Sequence, residues 1–182
     1  IIKLKSLKWV GYLSTTDVYG NTNGKMVDET AATRPTSQRS QNRLCAETQW
    51  LNLYSAHDLP VHVFRLPGIY GPGRSALDQV AAGRTQCINK PGHQFSRIHV
   101  VDIINTITKS IANPNPGRIY NVCDNEAASP ADVTAYACKL LGVPAPVLIS
   151  FKVAARSMSP MALSFWQDNR RVDNTRIKSE LG

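Results

Sequence analysis

"LSTTDVYG", residues 13–20, follows a short apolar run that begins at Trp9, and it passes at once from leucine to three consecutive hydroxyls and on to a glycine. A buried strand that runs out into a loop has this composition. Outward from it, "VHVFRL" at 61–66 is a second, β-branched strand bounded by Pro60 and Pro67, and it feeds the turn-rich "PGIYGPGR" at 67–74. "GRIYNVC" at 117–123 is a third strand.

Between the strands the spacing predicts helices. Leu44, Trp50, Leu51 and Tyr54 recur at helical intervals from about Arg39 to His57. "SALDQVAAGRT" at 75–85 is a short helix, and "FSRIHVVDIINTITKSIANP" at 95–114 is an extended piece leading into a helix that starts near Asp102, its expected N-cap. Ser129, Pro130 and Asp132 open another helix that stops on Gly142. Residues 21–37 read as a polar loop, and 142–182 as two or three short helices.

Strands alternating with helices describe a layered α/β domain with a mainly parallel sheet. Ligands of such sheets bind at the carboxyl ends of the strands, so "LSTTDVYG", "RLPGIYGPGR" and "NVCDNE" are the segments on which a site is expected.

Composition narrows the partners. At 182 residues and 42% hydrophobic content the chain can bury one ordinary core. No apolar run approaches the roughly 18 to 20 residues needed to cross a bilayer, so a membrane is not an expected partner. The opening "IIKLKSLKWVGYL" lacks the small-residue cleavage site of a leader and reads as chain interior. Without an initiator Met, and ending on "RIKSELG", the sequence is expected to be a stretch of a longer chain.

Cys45, Cys87, Cys123 and Cys138 have neither metal-knuckle nor CxxC spacing, and they read as reduced thiols packed in an intracellular protein, cytoplasmic or organellar. The net charge of +8 is spread along the chain, densest at Lys3, Lys5 and Lys8 and at Arg170, Arg171, Arg176 and Lys178. Neither a zinc nor a helix-turn-helix signature accompanies it, so no nucleic acid is expected. An anionic small molecule, such as a phosphate-bearing cofactor, suits the same charge.

The ordered segments carry a resemblance. "LSTTDVYG", "RLPGIYGPGR", "FSRIHVVDI" and "TRIKSELG" are similar, in this order, to the "SS-x-x-VYG", "R-x-x-N-x-YGP" and "FIHV-x-D" segments and the late Leu-Gly motif of extended, here atypical, short-chain dehydrogenase/reductases, the NAD-dependent epimerase/dehydratase type. The resemblance implies a Rossmann-like, mainly parallel sheet whose N-terminal half, with its glycine-rich phosphate loop, is not in this sequence. It also implies a small substrate-binding lobe, mainly from 68–98 and 143–182, and a cofactor that is NADP or NAD. A homodimer built on the helix at 39–57 follows by the same analogy.

Residue by residue, the resemblance places Thr15 on the catalytic hydroxyl. The Tyr-x-x-x-Lys pair of these enzymes falls on "RSQNRLCAE", residues 39–47, where Arg39 stands for the tyrosine and Arg43 for the lysine. One helical turn apart, the two guanidiniums share a face and repel unless an anion joins them. Arg43 keeps a charge and donors for a ribose hydroxyl or a phosphate of the cofactor. Arg39 binds anions of a substrate but carries no proton, since deprotonating a group of pKa above about 12 near neutrality costs on the order of 7 kcal/mol.

Leu66 and Pro67 are expected against the nicotinamide, and Gly68 and Arg74 against substrate. Gly68 takes the place of a substrate-binding Asn, and Phe95 that of an Arg. Tyr70, on a loop facing the cleft, is the candidate substitute proton donor, with Tyr19, near Thr15, as the alternative, although tyrosines at both of these family positions are usually structural; His99 reads as structural. No residue is expected to bind a metal. The resemblance thus implies an epimerase/dehydratase-like or reductase-like protein acting on an unknown small polar substrate. The alternatives are a catalytically disabled NAD(P)-binding sensor or scaffold, and a non-functional fragment whose first strand leaves an open sheet edge.

Overall fold

A computed structural model describes residues 6–182; the opening "IIKLK", with Lys3 and Lys5 of one basic cluster, lies outside the described residues. The central sheet is parallel, in the order β1 (Val10–Thr15), β3 (Val61–Leu66), β7 (Ile119–Asn121), with Val10 opposite Val61, Thr15 opposite Leu66 and Arg65 opposite Asn121. All six residues of β3 are buried. That is why "VHVFRL" shows no alternation: a central parallel strand is covered on both faces. Among the described residues β1 pairs with β3 alone.

One face of the sheet packs α1 (Gln38–His57), whose Trp50, Leu51, Leu53 and Tyr54 cover Leu59, Val61 and Val63. The other face packs α3 (Val100–Ala112) and α7 (Thr175–Leu181) through Ile103, Ile107, Ile177 and Leu181 against Phe64, Leu66, Tyr120 and Val122. The connection into β7 is tight: a Cβ on Gly117, at φ +84°, would sit 2.3 Å from the Tyr54 ring.

β3 buries two polar side chains, and each is fully engaged. His62 stacks on Trp9, its Nδ1 lies 3.3 Å from the Val10 carbonyl, and its Nε2 accepts from the Asn115 N–H at 2.9 Å. Arg65 pairs with Glu47 of α1: its Nε lies 3.2 Å from each carboxylate oxygen and Nη2 closes the fork. Its Nη1 donates to the Tyr19 hydroxyl at 2.8 Å, which donates to Asn121 Oδ1 at 2.7 Å. Ser14 adds a hydrogen bond to Glu47 at 2.8 Å.

The remaining strands are short. β2 (Met26–Val27) pairs with β9 (Arg171–Val172), β4 (Gly68–Tyr70) with β6 (Arg97–His99), and β5 (Cys87–Asn89) with β8 (Leu148–Ser150), all parallel. Ile88, Ala154 and Trp166 form a second core there, with Phe95, Ile149, Phe151 and Met158 around it. It is supported by α5 (Phe151–Ala154) and α6 (Pro160–Phe165), while α2 (Ala76–Ala81) packs against α4 (Pro130–Leu141). Asn169 ties three loops together, since its carbonyl accepts from Thr22 and Gly24 and its side chain bonds Gly92 and Gln94.

Several expectations need correction. The loop at 21–37 contains β2, and the stretch at 142–182 contains two strands beside its three α-helices. Strands of two or three residues carry no readable period, and their partners lie far away in sequence. α3 starts at Val100 rather than near Asp102, because the His99 ring caps it, Nδ1 accepting from the Val101 N–H at 3.3 Å, and Asp102 sits in the first turn. Cys87, Cys123 and Cys138 are buried thiols, but Cys45 is exposed on α1. Burial pushes the Cys123 thiol up to about 12.

Two measurements check this account. Arg65→Met leaves the Glu47 carboxylate buried without its partner and is expected to cost about 3 to 5 kcal/mol in chemical denaturation. Pairing it with Glu47→Leu should recover more than half of that loss; no recovery would show that the ion pair is not the source of the cost.

The second measurement concerns His93, which is 3% exposed, stacks on Trp166 and meets the Phe95 ring edge-on. Burial first, then the nearby Lys90 and Arg170 charges, lower its pKa to about 4. The unfolded chain takes up a proton near pH 6.5 while the folded one resists to about 4, so stability falls as pH drops through that window. His93→Phe should flatten the profile between those values, and an unchanged slope would refute the assignment.

Candidate functional site

A cleft of about 810 Å³ opens at the carboxyl ends of β1 and β3. Thr15, Arg39, Arg43, Leu66, Pro67, Gly68 and Arg74 all line it, so seven of the sequence-identified site residues meet in one place. Tyr70 does not. It lines a second cavity of about 1010 Å³ beside Asp124, and Arg74 and Arg97 border both.

Thr15 is the last residue of β1, and its Oγ1 accepts from the Asp17 N–H at 3.1 Å, capping a turn of 3-10 helix at Thr16–Tyr19. The cap uses an acceptor site and leaves the hydroxyl proton to donate into the cleft. After that turn Gly20, at φ +66°, lets the chain pass Arg34, whose carbonyl would lie 2.0 Å from any Cβ.

α1 begins at an N-cap on Ser37, whose side chain and that of Ser40 bond each other's backbone. Such a box is worth about 1 kcal/mol and fixes where the helix starts. Arg39, Arg43 and Glu47 then follow at four-residue spacing on one stripe. Because Glu47 is buried against Arg65, the stripe's earlier members are carried over the ends of the strands. Arg43 Nη1 donates to the Leu13 carbonyl at 3.0 Å, next to the Ser14 that holds Glu47.

The two cleft carboxylates face another cation. Arg170 pairs with Asp17 through Nη2 and with Asp168 through Nη1 at 3.3 Å, and the Thr36 hydroxyl donates to Asp168 at 2.8 Å. This bridge joins the turn after β1 to the segment before β9. Among the described residues no carboxylate lies within 4.0 Å of Arg39, Arg43 or Arg74.

The far wall is apolar. Leu66 ends β3 and Pro67 follows it, and Gly68 has ordinary backbone angles with 3.7 Å from an added Cβ to the Ser96 carbonyl. Phe95 borders the cleft, its ring meeting Trp166 edge-on in the second core.

Tyr70 is turned the other way because β4 pairs with β6, which sets it opposite His99; their rings meet edge-on at 5.2 Å. Burial, and then a hydrogen bond to Asp124, push its phenol up. Tyr19 is likewise unsuited to proton exchange: 2% exposed, it is raised by burial and held in the Arg65 network. Among the described residues no Tyr, Lys, His, Cys or Glu lines the cleft. Among the described residues no three His, Cys, Asp or Glu side chains gather as metal ligands would.

Three features escaped the sequence reading: the Glu47–Arg65 pair, the Arg170 bridge, and Glu29, which accepts from the Asn121 N–H at 2.7 Å. Only the first had a signal. An arginine inside an apolar, proline-bounded strand requires a buried acid.

The sequence pattern of the NAD dependent epimerase/dehydratase family matches residues 2–123. The chain is 32% identical over 177 residues to the protein YeeZ of Escherichia coli, covering 94% of this chain and 56% of that one. It is 25% identical over 122 residues to the human dTDP-D-glucose 4,6-dehydratase, covering 63% of this chain and 35% of that one. The chain therefore spans about half the length, or less, of the curated relatives it matches.

Among solved structures, a functionally unknown conserved protein from Silicibacter pomeroyi DSS is 51% identical with a TM-score of 0.89, covering 96% of this chain and 60% of that one. The UDP-glucuronic acid 4-epimerase from Bacillus cereus, solved in complex with NAD, shares the fold at 17% identity and a TM-score of 0.78, covering 99% of this chain and 56% of that one. Together with the parallel sheet and the cleft at its carboxyl edge, these matches identify the chain as a member of the NAD dependent epimerase/dehydratase family.

Proposed function

We propose that this chain supplies the substrate side and the nicotinamide side of an atypical, NAD- or NADP-dependent epimerase- or reductase-like enzyme acting on a small polar substrate. The observation that carries the reading is the convergence of Thr15, Arg43, Leu66 and Pro67 on one cleft at the strand ends. Their chemistry fits the nicotinamide end of a dinucleotide: an apolar wall for the ring, a hydroxyl beside it, and a cation for a ribose hydroxyl or phosphate. The bound dinucleotide would supply hydride transfer. Nothing in this sequence has the glycine-rich spacing that holds a pyrophosphate.

In this reading Thr15 donates to the reacting oxygen of the substrate, Arg43 orients the cofactor, and Arg39, Arg74 and the space above Gly68 receive the rest of the substrate. The segments at 68–98 and 143–182 serve as the substrate lobe. A homodimer across α1 belongs to the same proposal, and its exposed Asn42, Thr48, Gln49 and Asn52 would make that contact polar.

One observation favours a second reading. Among the described residues no tyrosine or lysine lines the cleft, and its two carboxylates are paired with Arg170, so a protein that binds the dinucleotide without turnover fits as well.

The two readings separate experimentally in the intact protein. Fluorescence titration with NADH and NADPH should show saturable binding of one of them, and Arg43→Gln should weaken it about tenfold or more, the loss of one charge-assisted contact. Thr15→Val should lower hydride exchange at least tenfold while shifting dinucleotide affinity less than twofold. Exchange that is absent from the parent, and appears only on combining Arg39→Tyr with Arg43→Lys, would favour the binding protein instead. An absence of saturable binding removes both.

A further inference from the structure

The cleft is left with a surplus of positive charge once its internal partners are counted. Asp17 and Asp168 are held by Arg170, and Arg97 spends Nη1 on the Phe95 and Ala128 carbonyls, each at 3.0 Å. Arg43 gives one donor to the Leu13 carbonyl. The guanidiniums of Arg39 and Arg74 make neither a hydrogen bond nor an ion pair among the described residues, and both side chains are exposed. They reach the same cleft from separate elements, α1 and the loop after β4.

The wall at the end of β3 is apolar, and the other polar groups of the cleft are neutral or paired. Residue 68 has no side chain, although there is room for one, and Phe95 places its ring among His93 and Trp166 in the second core. Leu66, Pro67 and Ile69 give apolar surface there beside the hydroxyl of Thr15, while Gln94, Ser96, Ser164 and Gln167 line the rest of the cleft with neutral polar groups. A compact ligand with one strongly anionic group matches these contacts. Planar guanidiniums bind carboxylate and phosphate oxygens in pairs, and an anion beside Arg39 also offsets the repulsion it feels from Arg43.

We propose that the substrate of this cleft is a small carboxylate- or phosphate-bearing anion, held at its charged group by Arg39 and Arg74. The assignment rests on the dinucleotide reading only in leaving Arg43 to the cofactor. It makes recognition electrostatic and dependent on ionic strength, as contacts to exposed cations are.

The test is calorimetric titration of the intact protein at low salt with malonate and with inorganic phosphate, the two arms separating the anion types, each with and without saturating NADPH or NADH. One of the anions should bind, and Arg39→Gln and Arg74→Gln should each weaken it at least tenfold while changing dinucleotide affinity less than twofold. Because both residues are exposed, the thermal unfolding midpoints should stay at the parent value.

Equal anion binding by parent and variants overturns the proposal, as does failure of both anions to bind. Displacement of the anion by the dinucleotide overturns it too, because the cations would then serve the cofactor's own phosphates. Anion binding that depends on Arg39 and Arg74 in a protein that binds no dinucleotide would sustain this proposal and remove the cofactor reading.

Discussion

A guanidinium at the centre of a parallel sheet, covered on both faces, persists only where its donors meet acceptors, because an unpaired charge there costs several kcal/mol. Arg65 meets that condition by drawing on elements from much of the chain: Glu47 from α1 and Tyr19 from the turn after β1, with Ser14 of β1 and Asn121 of β7 bonding those partners in turn. Glu29 continues the chain of contacts to the Asn121 backbone and to Arg176, 3.5 Å away. The hydrophobic clusters supply most of the driving force for folding, but they are tolerant of small rotations. The buried pair is not, so it sets the rotation of α1 about its own axis and with it the direction in which Arg39 and Arg43 point.

That coupling ties the cleft to the core. The two arginines sit one and two turns before Glu47, and the Thr15 hydroxyl follows the Ser14 that bonds the same carboxylate. Thr15, Arg39 and Arg43 are therefore held in place at the cleft by the same buried carboxylate, two of them as permanent cations. The physical effect is a cleft with fixed geometry and positive potential, which among the described residues is lined by no histidine, cysteine or tyrosine.

Much of this was legible in the sequence. The three strands of the central sheet were readable, β1 as an apolar run ending in hydroxyls and β3 as a β-branched run between two prolines, and Ser129, Pro130 and Gly142 marked the ends of α4 by ordinary capping chemistry. The ordered motifs brought seven site residues to one cleft. What stayed hidden depends on non-local pairing. The two- and three-residue strands form only because distant partners meet them, and the pairing of β4 with β6 is what turns Tyr70 toward Asp124. His99 was passed over as a cap because its ring does the work of the shorter oxygen-bearing side chains that usually hold that position.

Gly68 has a consequence that reaches beyond this one chain. Its backbone adopts angles open to any L-residue, and the nearest atoms to an added Cβ are 3.7 Å and 4.0 Å away. A single nucleotide change there would introduce a new side chain at the cleft wall with little penalty to folding. Position 68 is thus a point of low evolutionary resistance, at which related proteins can diverge in what they recognise while inheriting the same scaffold unchanged.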